Sequence, residues 1–361
     1  MSNRAHNFNP GPAVLPVSVL EETRDAVINF ANLGMSILEV SHRSKDFEAV
    51  IQAAEADALT IMGLSAQDYS VIFVGGGASL QFAMVPMNFL KGKADYFVTG
   101  EWATKAAKEA KLFGAVNEAA SSKDKNFNYL PKSWKLAPDA DYVHITTNNT
   151  IYGTEWKSVP DAGSVPLVAD MSSDMFGIQR DWNRYSLIYA GAQKNLGPAG
   201  VTMIVIKKAF MEAKAKEQVP TMLKYKTHVE GKSLFNTPPV FGIFVLGRTL
   251  KWILKEGGVA AVEARNKEKA KLVYDVIDAH PEFYKGTVTD KADRSIMNLT
   301  WNLPTPELEE KFLGEAKKKG MVGLKGHRSV GGIRSSQYNA CPKESVEVLA
   351  KFMEEFYAAN K

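Results

Sequence analysis

Six short apolar runs, each ended by a turn of small or polar residues, set the strongest limit on how this chain folds. They lie at 69–74, 95–99, 142–146, 167–169, 187–190 and 201–206. Helical patterns over 45–62, 80–89 and 103–113 separate several of them, with apolar residues recurring every three or four positions. Strands that alternate with helices predict an α/β fold around a largely parallel sheet. In such sheets ligands collect at the carboxyl ends of the strands. Five of those ends present residues with usable chemistry: Ala78 and Ser79, Trp102, Asn149 and Thr150, Asp170, and Lys194.

The remaining chain follows a second pattern. Helices are expected over 16–28, 242–256 and 259–279, and the pattern changes at His280-Pro281. A half-buried strand at 295–301, a helix at 306–319, a glycine-rich basic stretch at 320–334 and a closing helix at 342–358 come next. At 361 residues the chain can bury one large core and a smaller one. We expect a large domain over 16–265, a small α+β domain over 266–361, and an N-terminal segment, 1–15, packed on the small one.

Composition narrows the function classes. A net charge of +4, with no basic run interleaved with aromatics, argues against nucleic acid. No stretch approaches the ~20 apolar residues of a membrane span, and the opening residues carry no signal-type segment. The single cysteine, Cys341, rules out an internal disulfide and is read as a small packed side chain. A cytoplasmic protein acting on small molecules is the expectation.

The chemistry centres on Ala190-Gly191-Ala192-Gln193-Lys194-Asn195-Leu196-Gly197-Pro198-Ala199-Gly200, set between two apolar runs. A lysine there is either an exposed loop residue or an amine held out of water, where a lowered pKa frees it to bond a carbonyl. Asp170, ending a buried run, is either a helix or turn cap or the partner of a protonated ring nitrogen. Gly75-Gly76-Gly77-Ala78-Ser79 joins a strand to a helix, the arrangement that cups phosphate, and equally a plain turn. It matches neither the dinucleotide nor the nucleoside-triphosphate pattern. Trp102 offers a stacking face or a core side chain, and Thr150 a hydroxyl or turn filler. His42-Arg43, His327-Arg328 and Arg334 suit a substrate with two anionic ends, because the guanidinium fork matches carboxylate and phosphate.

Taken together, these stretches resemble the phosphoserine aminotransferases, pyridoxal-phosphate enzymes of fold type I in the class-V group. The resemblance spans nearly the whole chain. It rests on Phe8-Asn9-Pro10-Gly11-Pro12-Ala13, Glu39-Val40-Ser41-His42-Arg43-Ser44, Gly75-Gly76-Gly77-Ala78-Ser79-Leu80-Gln81-Phe82 and Asn148-Asn149-Thr150-Ile151-Tyr152-Gly153. It extends through Ala169-Asp170-Met171-Ser172-Ser173, the Lys194 stretch, Phe235-Asn236-Thr237-Pro238-Pro239 and Gly326-His327-Arg328-Ser329-Val330-Gly331-Gly332-Ile333-Arg334.

The resemblance implies that Lys194 forms the Schiff base with pyridoxal 5′-phosphate and that Asp170 pairs with the ring nitrogen. Gly77, Ala78, Ser79 and Gln193 would hold the cofactor phosphate, Trp102 would stack on the ring, and Thr150 would meet its 3′-oxygen. Asn236 and Thr237 would reach the phosphate from a second subunit, making a homodimer with shared active sites. His42, Arg43, His327, Arg328 and Arg334 would bind the substrate. The implied reaction converts phosphoserine and 2-oxoglutarate to 3-phosphooxypyruvate and glutamate in serine synthesis, with 4-phosphohydroxythreonine in vitamin B6 synthesis as a further substrate. No metal is implied. At Pro10 some relatives carry serine, which leaves a backbone contact there. The alternatives are a serine–pyruvate type aminotransferase of the same class, or a desulfurase, against which the placement of Cys341 argues. A non-catalytic protein on the same fold is a third.

Overall fold

The computed structural model describes residues 4–361. A seven-stranded sheet runs in the order Tyr69–Val74, Thr202–Lys207, Tyr185–Gly191, Leu167–Asp170, Val143–Thr146, Lys93–Val98, Ala115–Ser121. All neighbours are parallel except Thr202–Lys207, which is antiparallel to both strands beside it. The sheet is therefore mainly parallel and the fold is α/β, as the alternation of runs predicts. Alternate residues feed opposite faces. Val71 and Phe73 enter a core with the helices Lys45–Met62 and Val240–Lys255, whereas Ile72 and Val74 enter another with Gly77–Phe89 and Glu101–Ala110.

Local chemistry sets the helix ends. The Ser44 hydroxyl accepts from the Phe47 amide at the start of Lys45–Met62. Asp46 and Glu48 favour the first turn of that helix, and Gly63, at φ 63°, closes it in the left-handed conformation. Thr305 caps Pro306–Lys318 in the same way, with proline at the first helical position.

A second, antiparallel sheet is built from Ile333–Ser336, Asn298–Asn302 and Lys285–Gly286. Its core includes Phe8 and Val14 from the N-terminal segment, and His6–Asn7 pairs in parallel with Met321–Val322. The helix Gly258–Ala279 serves both cores, giving Val259 and Val262 to the first and Ala270, Val273 and Ile277 to the second. Position 265, where the sequence pattern divides the chain, lies inside this continuous helix. The apolar run 36–43 forms turns, with Leu38 exposed. No helix among the described residues is long and apolar enough to cross a membrane.

Candidate active site

Lys194 lies in the turn between Tyr185–Gly191 and Thr202–Lys207, at the carboxyl end of the parallel strands. Its Nζ donates to Thr150 Oγ1 at 2.8 Å and stands 5.6 Å from the centre of the Trp102 ring. Burial brings its pKa from 10.5 down to about 8. Asp170 and Asp174 pull it up, and Arg334 pushes it further down. The N-terminal turn covers the lysine stem: a methyl on Gly11 would sit 3.2 Å from Lys194 Cγ, and the Ala13 amide donates to Gln193 O at 2.9 Å.

Asp170 ends the strand Leu167–Asp170 and is buried. Burial raises its pKa, while the Ser172 amide, which donates to Oδ1 at 2.9 Å, and the Lys194 charge oppose that rise. Thr147 steadies the turn behind it, its hydroxyl lying 3.1 Å from Asp170 O and 2.6 Å from Asp174 Oδ1. Asp174 is in turn paired with the buried Arg180 at 2.6 Å. On the adjoining strands His144 Nε2 meets the Tyr189 hydroxyl at 2.8 Å. Burial lowers the His144 pKa to about 3, so this imidazole is neutral.

The helix Gly77–Phe89 opens beside the lysine turn. Gly76 and Gly77 have φ of 90° and 64°, conformations that suit glycine. A methyl on Gly191 would stand 3.6 Å from the Ala78 amide and 2.9 Å from the Gln193 side-chain oxygen, so a bare α-carbon lets the two turns meet. Ala78 is half-buried and Ser79 exposed, which leaves the helix amides available to an anion. Gly100 allows a second close approach: a methyl there would fall 2.5 Å from Asn149 Nδ2, which donates to Thr99 O at 2.8 Å. Trp102 follows two residues later, its indole Nε1 buried and lacking a hydrogen-bond partner, and the Lys194 amine lies in reach of both its ring and Thr150 Oγ1.

Arg334 comes from the small sheet. It is buried, donates from Nη1 to Thr150 O at 3.1 Å and leaves Nε without a partner. His327 is half-buried near it. Burial and the charges of Arg334 and Arg328 lower its pKa. Arg328 is exposed on the same loop. One chain thus brings together Lys194, Asp170, Thr150, Trp102, Gln193, Gly77, Ala78, Ser79, Arg334 and His327. Asn236 lines a cavity with Gly75 and Leu80, on either side of the phosphate turn, while Arg43 and Thr237 are exposed and His42 Nε2 is buried without a partner; among the described residues no hydrogen bond joins these last three to the lysine group.

The family model for class-V aminotransferases matches residues 5–349. The chain is 53% identical over 360 residues to the phosphoserine aminotransferase of Lysinibacillus sphaericus, covering 99% of each. It is 53% identical over 364 residues to that of Desulfosudis oleivorans, covering 100% of each. The chain belongs to the class-V aminotransferases. Within the family its backbone superposes on the phosphoserine aminotransferase structure from Bacillus circulans subsp. alkalophilus with a TM-score of 0.97, at 49% identity over 100% of each chain. A pyridoxal-phosphate-bound phosphoserine aminotransferase from Trichomonas vaginalis gives 0.91 at 38% identity, covering 97% of this chain and 100% of that one. The cofactor of this enzyme is pyridoxal 5′-phosphate, a flat anionic aldehyde with a basic ring nitrogen. The residues suit such a group: Lys194 is readily neutralised, Asp170 has no cationic hydrogen-bond partner among the described residues, and the Gly77 helix has free amides.

Several residues that shape this site carried no signal in sequence. His144 lies unmarked inside an apolar run, Asn298, Asn339 and Lys269 read as ordinary polar positions, and Asn148 stands out only as the first residue of the Thr150 stretch. All of them are buried. The Asn339 amide donates to Asn195 Oδ1 beside the lysine at 3.0 Å, and Lys269 Nζ donates to the carbonyls of Gln337, Tyr338 and Cys341. Cys341 itself is buried and unpaired.

Proposed function

We propose that this chain transfers the amino group of phosphoserine to 2-oxoglutarate, reversibly, giving 3-phosphooxypyruvate and glutamate. The observation that carries this reading is one buried cluster in which the Lys194 amine, of pKa about 8, feels the charges of the Asp170 carboxylate and the Arg334 guanidinium. The identity to phosphoserine aminotransferases over the full chain supports the choice of substrate.

Pyridoxal phosphate supplies a carbonyl that bonds amines and a ring that takes up electron density from the substrate Cα. Lys194 would hold it covalently, and Asp170 would keep a proton on its ring nitrogen. Trp102 would stack on its face, Thr150 would bind its 3′-oxygen, and Gly77, Ala78, Ser79 and Gln193 would hold its phosphate. Once free, the Lys194 amine removes the proton from the substrate Cα and later returns a proton on the other side of the transfer. Thr150 Oγ1 holds Nζ at 2.8 Å for this task. Arg334 receives one anionic group of the substrate through its unused Nε, with His327 and Arg328 beside it.

The site is completed by a second copy of the chain. Asn236 and Thr237 lie on an exposed segment next to Phe235, 49% exposed, and near Met222, 43% exposed, apolar side chains that a partner subunit would cover. Arg43, which is exposed as well, would enter the partner's site in the same way. The free cysteine fits a reducing, cytoplasmic setting. An assay of purified protein with phosphoserine and 2-oxoglutarate, run beside serine, tests the reading. Glutamate should form with phosphoserine and far more slowly with serine; equal rates would overturn the substrate assignment.

A further inference from the structure

Asn298 is wholly buried at the start of the central strand of the small sheet. Antiparallel pairing sets it opposite Ser336 and sets Thr300 opposite Arg334, so these four residues share one face. That face meets the loop carrying Thr150. Gly153, at φ 83°, makes the approach possible, since a methyl there would stand 2.5 Å from Thr300 Oγ1 and 3.0 Å from Asn298 O.

The Asn298 amide is used on both sides. Nδ2 donates to Ser336 Oγ at 2.9 Å and to the Tyr338 hydroxyl at 3.2 Å, and Oδ1 accepts from Asn148 Nδ2 at 2.7 Å. Asn148 also donates to Ser173 Oγ at 2.8 Å and accepts from Ser295 Oγ at 2.6 Å. The Tyr338 hydroxyl donates to Pro10 O at 2.8 Å. The Asn298 carboxamide therefore bonds two segments directly and reaches two more through Asn148 and Tyr338, four in all. These are the loop of Thr150, the turn after Asp170, the strand of Arg334 and the N-terminal turn over Lys194. A side chain able only to accept, or to do neither, leaves buried groups unpaired.

We propose that Asn298 is a positioning residue for the transamination described above: its amide sets the spacing between the Arg334 guanidinium and the Lys194–Thr150–Asp170 group. The substrate's anionic end and its Cα are then presented together, and small misplacement at such a site is costly in rate. Among the described residues the Arg334 side chain itself adds only the bond from Nη1 to Thr150 O.

The test uses cofactor-loaded Asn298→Ala and Tyr338→Phe. Two quantities are read: KM against kcat for phosphoserine, and the pH midpoint of the bound cofactor's visible absorbance, which needs no turnover. Asn298→Ala should lower kcat/KM about 10- to 100-fold, mainly through KM, and move the absorbance midpoint. Tyr338→Phe should act in the same direction by less, and it carries the test should the alanine variant not fold. A folded variant that melts earlier but keeps the parent KM and absorbance midpoint would reduce Asn298 to a packing role and overturn the proposal. Parent protein inert toward phosphoserine would refute the substrate reading, while the absorbance midpoint would still decide the claim about Asn298.

Discussion

Burial of Lys194 should be measurable as reactivity at neutral pH. An exposed lysine with a pKa of 10.5 is neutral in about one molecule in a thousand at pH 7.5, whereas one near 8 is neutral in about a quarter. The difference corresponds to about 3 kcal/mol and a gain of roughly 200-fold in nucleophilic amine. Protein stripped of cofactor and mixed with pyridoxal phosphate should therefore gain visible absorbance at a rate that climbs with pH and levels off above about 8. The sign follows from the cause: burial penalises the ammonium, so the neutral form dominates at lower pH than in water. Asp170 pulls the other way, and Asp170→Asn should move the midpoint below that of the parent. A parent midpoint near 10.5, or an upward move in Asp170→Asn, would refute this account of the amine.

Three further outcomes follow from particular contacts. Arg334→Ala should cost about 2–5 kcal/mol in kcat/KM for phosphoserine, as for a buried charged contact, and Arg334→Lys should not restore it. Steady-state kinetics with intact circular dichroism would check both. Gly100→Ala forces a methyl to within 2.5 Å of the Asn149 amide, so it should lower stability by about 1–3 kcal/mol in denaturant titration. Lys269→Met removes the donor shared by three buried carbonyls and should cost about 1–3 kcal/mol in the same experiment.

Where side chains obey a simple period or a cap, the sequence was easy to read. Lys45–Met62 begins at its serine cap and ends at Gly63, and the buried strands stand out as β-branched and aromatic runs. The edge strand Ala115–Ser121 was not legible, because AVNEAAS is alanine-rich and polar and owes its conformation to pairing with Lys93–Val98. Nor was the antiparallel setting of Thr202–Lys207, since an apolar run carries no direction. Lys194, Asp170 and the glycine turn were legible because a polar group at the end of a buried run is rare. Asn148, Asn298 and Asn339 were not, as what matters there is which distant segments each amide joins. Such contacts span up to 164 residues, as between Asn339 and Met175, and a local pattern cannot express them. His42, Arg43 and Thr237 show a related effect: motif resemblance groups them with the site, whereas within one chain no hydrogen bond among the described residues joins them to it.

On the reading proposed above, one amine, Lys194, bonds the cofactor. Borohydride reduction of the loaded protein, followed by proteolysis and mass mapping, tests it most directly. One reduced pyridoxyl group per chain is expected, on the peptide containing Ala192-Gln193-Lys194-Asn195. A label on any other lysine, or no label on a protein that has bound the cofactor, would contradict it.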